Sequence, residues 1–149
     1  HYAILLQPDG KIVAVTSAQG TSEDIAVVRF DADGSLDKGF GQAGVVTTDW
    51  GCNENPAGVV LQPNGKIIAA GTVWCNLNTA YILARYNPDG SLDTSFGYNG
   101  KLLTELGTAD QANALGLQAD GRIVVGGRLY DGVTHDYPYP NLFTLVRYK

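Results

Sequence analysis

Gln7-Pro8-Asp9-Gly10-Lys11-Ile12-Val13 returns as Gln62-Pro63-Asn64-Gly65-Lys66-Ile67-Ile68, and again as Gln118-Ala119-Asp120-Gly121-Arg122-Ile123-Val124, at offsets of 55 and 56 residues. A second pattern keeps step with the first. Val28-Arg29-Phe30 is matched by Ala84-Arg85-Tyr86 and Val146-Arg147-Tyr148. Asp31-Ala32-Asp33-Gly34-Ser35-Leu36-Asp37 is matched by Asn87-Pro88-Asp89-Gly90-Ser91-Leu92-Asp93, and both run on to a Phe-Gly pair, Phe40-Gly41 and Phe96-Gly97. Turn signals held at near-constant spacing identify a chain made of three copies of one supersecondary unit.

Each copy divides into about four strands. In the second, residues 45–50, 57–62, 66–73 and 81–86 are rich in Val, Ile, Leu and Tyr and have ordinary strand lengths. The Asx-Gly pair falls between the second and third of them, where a tight hairpin needs it. No segment carries the 3.6-residue period of a helix long enough to cover a sheet. Tandem four-stranded antiparallel units hide their faces by stacking on one another around an axis. The expected fold is therefore all-β: one domain over residues 1–149 made of propeller-type blades, with repeats at about 1–43, 44–100 and 101–149. On this division the first repeat lacks its opening strand. Three blades are fewer than the roughly four at which propellers begin to close. The expected remedy is a longer array, or two copies completing a six-bladed ring through their exposed blade faces.

The motifs Gln-Pro-Asp-Gly-Lys-Ile-Val and Arg-Tyr-Asn-Pro-Asp-Gly-Ser-Leu-Asp-Thr-Ser-Phe-Gly resemble the delta-60 repeat family, a domain-of-unknown-function β-propeller repeat of bacterial, often surface or secreted, proteins. The likeness covers nearly the whole chain. It departs at Ala119, where the family has proline, and at Lys38-Gly39, where the family prefers Thr-Ser. The resemblance implies a propeller fold and an extracellular, periplasmic or cell-surface setting. It implies no chemistry, so it supplies no catalytic residue.

Composition narrows the partners. With 15 acidic against 10 basic side chains the formal charge is -5, which repels nucleic acid and anionic lipid. Nothing approaches the run of about 18 apolar residues that a membrane helix needs, so neither nucleic-acid binding nor membrane insertion is expected. No phosphate-cradling glycine motif is present, and no cofactor is expected.

The repeated polar residues read as scaffold. Asp31, Asp33 and Asp37 offer oxygens at positions one, three and seven of a loop, as Asp89 and Asp93 do in the next copy, but the glutamate at position twelve of a calcium loop is missing. The preferred reading is that these side chains cap their own turns while glycine takes the strained angle. Arg29, Arg85 and Arg147 are expected to pair with turn carboxylates and to pack on an aromatic neighbour. Cys52 and Cys75 follow strands that end at one edge of the sheet. A disulfide suits that placement and an oxidising compartment; two free buried thiols are the alternative.

Function is sought where the copies diverge, because the repeated scaffold is shared. The third-to-fourth-strand loops differ: residues 18–24, residues 74–79 with Trp74 and Asn76, and residues 130–141 with Tyr130, Asp131, His135, Asp136, Tyr137 and Tyr139, stiffened by Pro138 and Pro140. Aromatic rings beside carboxylates and amides stack on a sugar ring and bind its hydroxyls, or form a protein-recognition patch. Those eight residues are the candidate ligand-binding set, and no catalytic or metal-ligating set is assigned. The reading is a non-catalytic binding or structural module. The competing class is a polysaccharide hydrolase or lyase using His135 with Asp131 or Asp136, against which stands the lack of any nucleophile flagged by its context.

Overall fold

The computed structural model describes residues 2–20, 22–76, 78–107, 110–129 and 142–149. Within them lie β1 (Ala3–Leu6), β2 (Ile12–Gln19), β3 (Glu23–Phe30), β4 (Val45–Thr48), β5 (Asn53–Leu61), β6 (Ile67–Cys75), β7 (Asn78–Tyr86), β8 (Lys101–Thr104), β9 (Gln111–Leu117), β10 (Ile123–Leu129) and β11 (Leu142–Tyr148). They form three antiparallel sheets, β1-β2-β3-β4, β5-β6-β7-β8 and β9-β10-β11. These are the expected propeller-type blades, and they do not close into a ring.

The missing strand is not where the sequence placed it. Both of the first two sheets are complete, and the third has three strands. The reason is a difference of phase. β4, read as the opening strand of the second repeat, pairs backward with β3, from Ile25 opposite Thr48 to Val28 opposite Val45. Likewise β8 pairs with β7. Each of the first two sheets therefore takes in the first strand of the following repeat.

The turns set this arrangement. Between β1 and β2, the Gly10 N–H donates to the Gln7 carbonyl at 3.0 Å and the Asp9 carboxylate accepts from the Lys11 N–H at 3.2 Å. Gly10 sits at φ 86°, in the left-handed region that favours glycine. Gln62–Gly65 and Gln118–Gly121 repeat the same bonds. After β3, the chain folds back on itself: the Asp37 N–H donates to the Arg29 carbonyl at 3.0 Å and the Arg29 N–H to the Gly44 carbonyl at 2.9 Å. That loop delivers Val45 beside β3.

The sheets stack by laying the first strand of one across the face of the sheet before. β5 packs on β1, β2 and β3, and β9 packs on β5, β6 and β7. Val13, Val15, Ile25, Val27 and Phe40 meet Val59, Ile67, Ile82 and Tyr86 in the first interface. Ile68, Tyr81, Leu83 and Phe96 meet Ile123, Val125 and Leu115 in the second. Burying each such aliphatic side chain contributes about 1.5–3 kcal/mol. The fit is tight at Gly127, where a Cβ would overlap the Tyr81 hydroxyl and the Gln111 carbonyl. Gly127 therefore relieves crowding between sheets, whereas its neighbour Gly126 has ordinary room.

Polar ties cross the same interfaces. The hydroxyls of Thr48 and Tyr86 lie 2.6 Å apart, and the Tyr148 hydroxyl donates to Thr104 Oγ1 at 2.9 Å. Arg29 Nη1 donates to the Pro88 carbonyl at 2.6 Å, and the Gly41 N–H to the Asp89 carbonyl at 2.8 Å.

Two sheet faces have no neighbour among the described residues. On β1, Ile4 and Leu6 point outward, although their repeat equivalents Val59 and Leu61 pack into the first interface. On β11, Phe143 and Leu145 are 76% and 61% exposed, whereas Tyr81 and Leu83, which precede Arg85 as they precede Arg147, are fully buried.

Candidate functional site

The strand directions separate the molecule into two ends. One end carries the three Asx-Gly hairpins and the two Asp-Gly-Ser-Leu-Asp turns that follow β3 and β7. The other carries the β2–β3 and β6–β7 hairpin tips, the ends of β10 and β11 at Leu129 and Leu142, and the links from β4 to β5 and from β8 to β9.

At the repeated end the carboxylates are occupied as the turn reading requires. Asp33 Oδ1 accepts from the N–H and hydroxyl of Ser35 at 2.9 and 2.7 Å, and Asp89 holds Ser91 in the same way. These bonds hold both carboxyls below the usual carboxylate range. Arg29 Nε donates to Asp37 Oδ2 at 2.7 Å with its guanidinium 4.5 Å from the Phe40 ring centroid. Arg85, Asp93 and Phe96 repeat the arrangement at 2.6 and 4.6 Å. Lys11 completes the first group and Lys66 the second, and the bond from Lys66 is the largest influence holding the Asp93 carboxyl well below its ordinary value. Each of these side chains holds a turn.

The other end is built differently. Trp74, next to last in β6, is half exposed, and Asn76, two residues on, sits at φ 55°, a left-handed conformation that asparagine tolerates. Cys52 and Cys75 form a disulfide with Cα atoms 5.3 Å apart, fastening the chain just ahead of β5 to the end of β6. It closes the open end of the hairpin in which Asn53 pairs with Trp74. Of the candidate ligand-binding residues, Trp74 and Asn76 thus stand together on a covalently fixed tip. Tyr130, Asp131, His135, Asp136, Tyr137 and Tyr139 lie outside the described residues.

Trp50 sits beside this tip on the β4–β5 link. It packs against the first interface with Cys52 and Cys75, and the Lys101 ammonium lies 5.4 Å from its ring centroid. The Trp50 N–H donates to Glu54 Oε1 at 3.2 Å. Glu54 is only 1% exposed, and burial, with Asp24 and Asp49 nearby, pushes its carboxyl up to about 7. One residue type recurs here that the sequence reading passed over. Asp110, 56 residues after Glu54, accepts from the Leu106 and Gly107 N–H groups on the β8–β9 link at 2.7 and 3.1 Å. Among the described residues, Glu54 Oε2 and Asp110 Oδ1 are both buried without a hydrogen-bond partner. The pairs Asp49/Glu54 and Glu105/Asp110 held the signal, since both members recur at the repeat offset.

Comparison with protein families places three segments, residues 7–40, 62–96 and 118–137, on one family model, described as a domain of unknown function (DUF5122) β-propeller. Together they span more than half of the chain. The chain belongs to this family. Each matched DUF5122 segment starts at the glutamine of the Asx-Gly hairpin, and the first two end at or next to the phenylalanine under the arginine. Trp74 and Asn76 fall within the second segment, and Tyr139 falls beyond the third. A search of curated proteins found no match.

Proposed function

We propose that this DUF5122 chain is a non-catalytic binding module of a bacterial surface or secreted protein, and that it recognises carbohydrate or protein through its unrepeated end. The observation carrying this reading is the contrast between the two ends. At the repeated end Arg29, Asp37, Arg85 and Asp93 are engaged in internal turns, whereas the opposite end presents a half-exposed Trp74 near Asn76 on a hairpin pinned by a disulfide. A pre-fixed aromatic loses little conformational freedom on binding, which favours a recognition role. Tyr130, Asp131, His135, Asp136, Tyr137 and Tyr139 complete the set. The disulfide also favours an extracellular, periplasmic or cell-surface compartment. No helix among the described residues is long and apolar enough to cross a membrane.

A glycan array probed with the intact chain tests the proposal. The expected result is a defined set of glycans whose binding falls at least about tenfold in Trp74→Ala, Tyr137→Ala and Tyr139→Ala, as loss of central aromatic contacts does. Binding undiminished in all three variants contradicts it.

Self-association belongs to the same reading. Phe143 and Leu145 on one outer face, and Ile4 and Leu6 on the other, occupy repeat positions that are covered by a neighbouring sheet elsewhere in the chain. The partner they fit is a sheet of the same kind, supplied by a second copy.

A further inference from the structure

The geometry points to Asp24, Asp49 and Glu54 as a binding site for a hard divalent cation, calcium foremost, that ties the first sheet to the second at their unrepeated end. Asp24 lies on β3, Asp49 directly after β4, and Glu54 on β5 of the next sheet. One carboxylate oxygen from each lies within 4.8 Å of the other two. Oxygens that share an ion at about 2.3–2.6 Å stand at most about 5 Å apart, so the trio already has the spacing of a shared centre.

A second observation asks for that ion. Glu54 is 1% exposed; its Oε1 accepts from the Trp50 main-chain N–H, and its Oε2 has no hydrogen-bond partner among the described residues. A buried carboxylate is costly unless something of opposite charge or a set of donors meets it. At Asp37 and Asp93 the chain meets this demand with cationic side chains, Lys11 and Arg29 at the first and Lys66 and Arg85 at the second, and at Asp110 with two main-chain N–H groups on one oxygen. Among the described residues no lysine or arginine is ion-paired with Asp24, Asp49 or Glu54. Lys101, the cation beside Trp50, donates instead to the Asp49 main-chain carbonyl at 2.9 Å.

The donor set selects the kind of ion. All three ligands are carboxylates, with no imidazole or thiolate, which favours calcium, magnesium or manganese over zinc or copper. Ser22 Oγ donates to Asp24 Oδ1 at 2.7 Å and the Gly51 N–H to Asp49 Oδ1, which orients both groups and leaves each a second oxygen. Asp49 is exposed and Asp24 half-buried, so an ion and its remaining waters can enter from solvent. The next interface lacks the trio: Asp49 and Glu54 have counterparts in Glu105 and Asp110, but Ala80 stands where Asp24 would be. Among the described residues this is one site.

Terbium(III), which takes the place of calcium and emits when a nearby indole is excited, gives a direct readout because Trp50 is the residue after Asp49 and its main-chain N–H bonds Glu54. On the intact chain the expected result is saturable Trp-sensitised emission with one ion per chain, displaced by calcium chloride. Glu54→Gln, which keeps the shape of the side chain, and Asp49→Asn, an exposed change that spares the core, should each weaken terbium binding at least about tenfold, because affinity follows the number of charged ligands. Thermal unfolding gives the second readout. Roughly millimolar calcium should raise the midpoint of the wild-type chain and leave Glu54→Gln unmoved. No sensitised emission, or equal emission and equal calcium shifts in wild type and both folded variants, overturns the proposal.

Discussion

The phenol of Tyr86 on β7 reaches out of its own sheet to the hydroxyl of Thr48 on β4, and the two oxygens lie 2.6 Å apart in a fully buried setting. Tyr148 and Thr104 repeat the bond between the second and third sheets at 2.9 Å. Burial pushes the Tyr86 phenol far above its ordinary pKa, so it stays a neutral partner across the working range. Removing one partner leaves the other desolvated and unmet. Tyr86→Phe is therefore expected to cost about 1–3 kcal/mol in urea unfolding. Thr48→Val combined with Tyr86→Phe should recover part of that loss, because neither oxygen is then orphaned. Additive losses in the double variant would show that the bond contributes nothing of its own.

Gly127 is expected to tolerate no side chain. A Cβ there overlaps both the Tyr81 hydroxyl and a main-chain carbonyl, and only the hydroxyl belongs to a side chain that can shift. Gly127→Ala should lower stability by roughly 1–3 kcal/mol or more. Gly116→Ala, with nothing within 4 Å of the added carbon, should be close to neutral in the same measurement.

Reduction of Cys52–Cys75 opens a loop spanning 23 residues of sequence. By chain entropy alone this lowers stability by about 3 kcal/mol. Urea midpoints with and without a phosphine reductant report it, and Cys52→Ala with Cys75→Ala should match the reduced wild type. Because the bond also fixes the Trp74 tip, reduction should weaken any binding that Trp74→Ala weakens.

The pH dependence has two limbs of opposite sign. Lys66, Ser95 and Arg85 hold the folded Asp93 carboxyl below its unfolded value, and Lys11 and Arg29 act likewise on Asp37. Their contribution is fully present above the unfolded carboxylate pKa of about 4 and is lost as pH falls below it. Asp93→Asn should flatten this acid limb. Glu54 runs the other way. Its folded pKa of about 7 lies above the ordinary carboxylate value, so the folded chain binds the proton more tightly. In chelator-treated buffer, stability should decline as pH rises from the unfolded value through 7, with Asp24 and Asp49 adding repulsion. Glu54→Gln should remove that decline. Thermal midpoints across pH check both limbs.

The turn chemistry was legible because it is local. Asp9-Gly10, Asn64-Gly65 and Asp120-Gly121 dictate their own hydrogen bonds wherever they occur, and all three hairpins form. The partner of residues 45–48 was not legible. A short link of 49–52 follows them and a long stretch of 31–44 precedes them, which makes forward pairing look natural. The long stretch instead doubles back through the Asp37-to-Arg29 and Arg29-to-Gly44 bonds, and sequence separation carries no sign of that return. Of the candidate site, Trp74 and Asn76 could be read as exposed from their hairpin position, whereas the burial of Glu54 could not. An acidic residue ahead of an apolar strand looks solvated until the packing of one sheet on the next is known.

Sedimentation equilibrium of the oxidised chain tests most directly the claim that these sheets hide their apolar faces only against near-copies of themselves. The account predicts a species of roughly twice 15.8 kDa that reverts to a single chain when Phe143 and Leu145 are both replaced by serine. A stable single chain at every concentration, with those two side chains left in water, would contradict it.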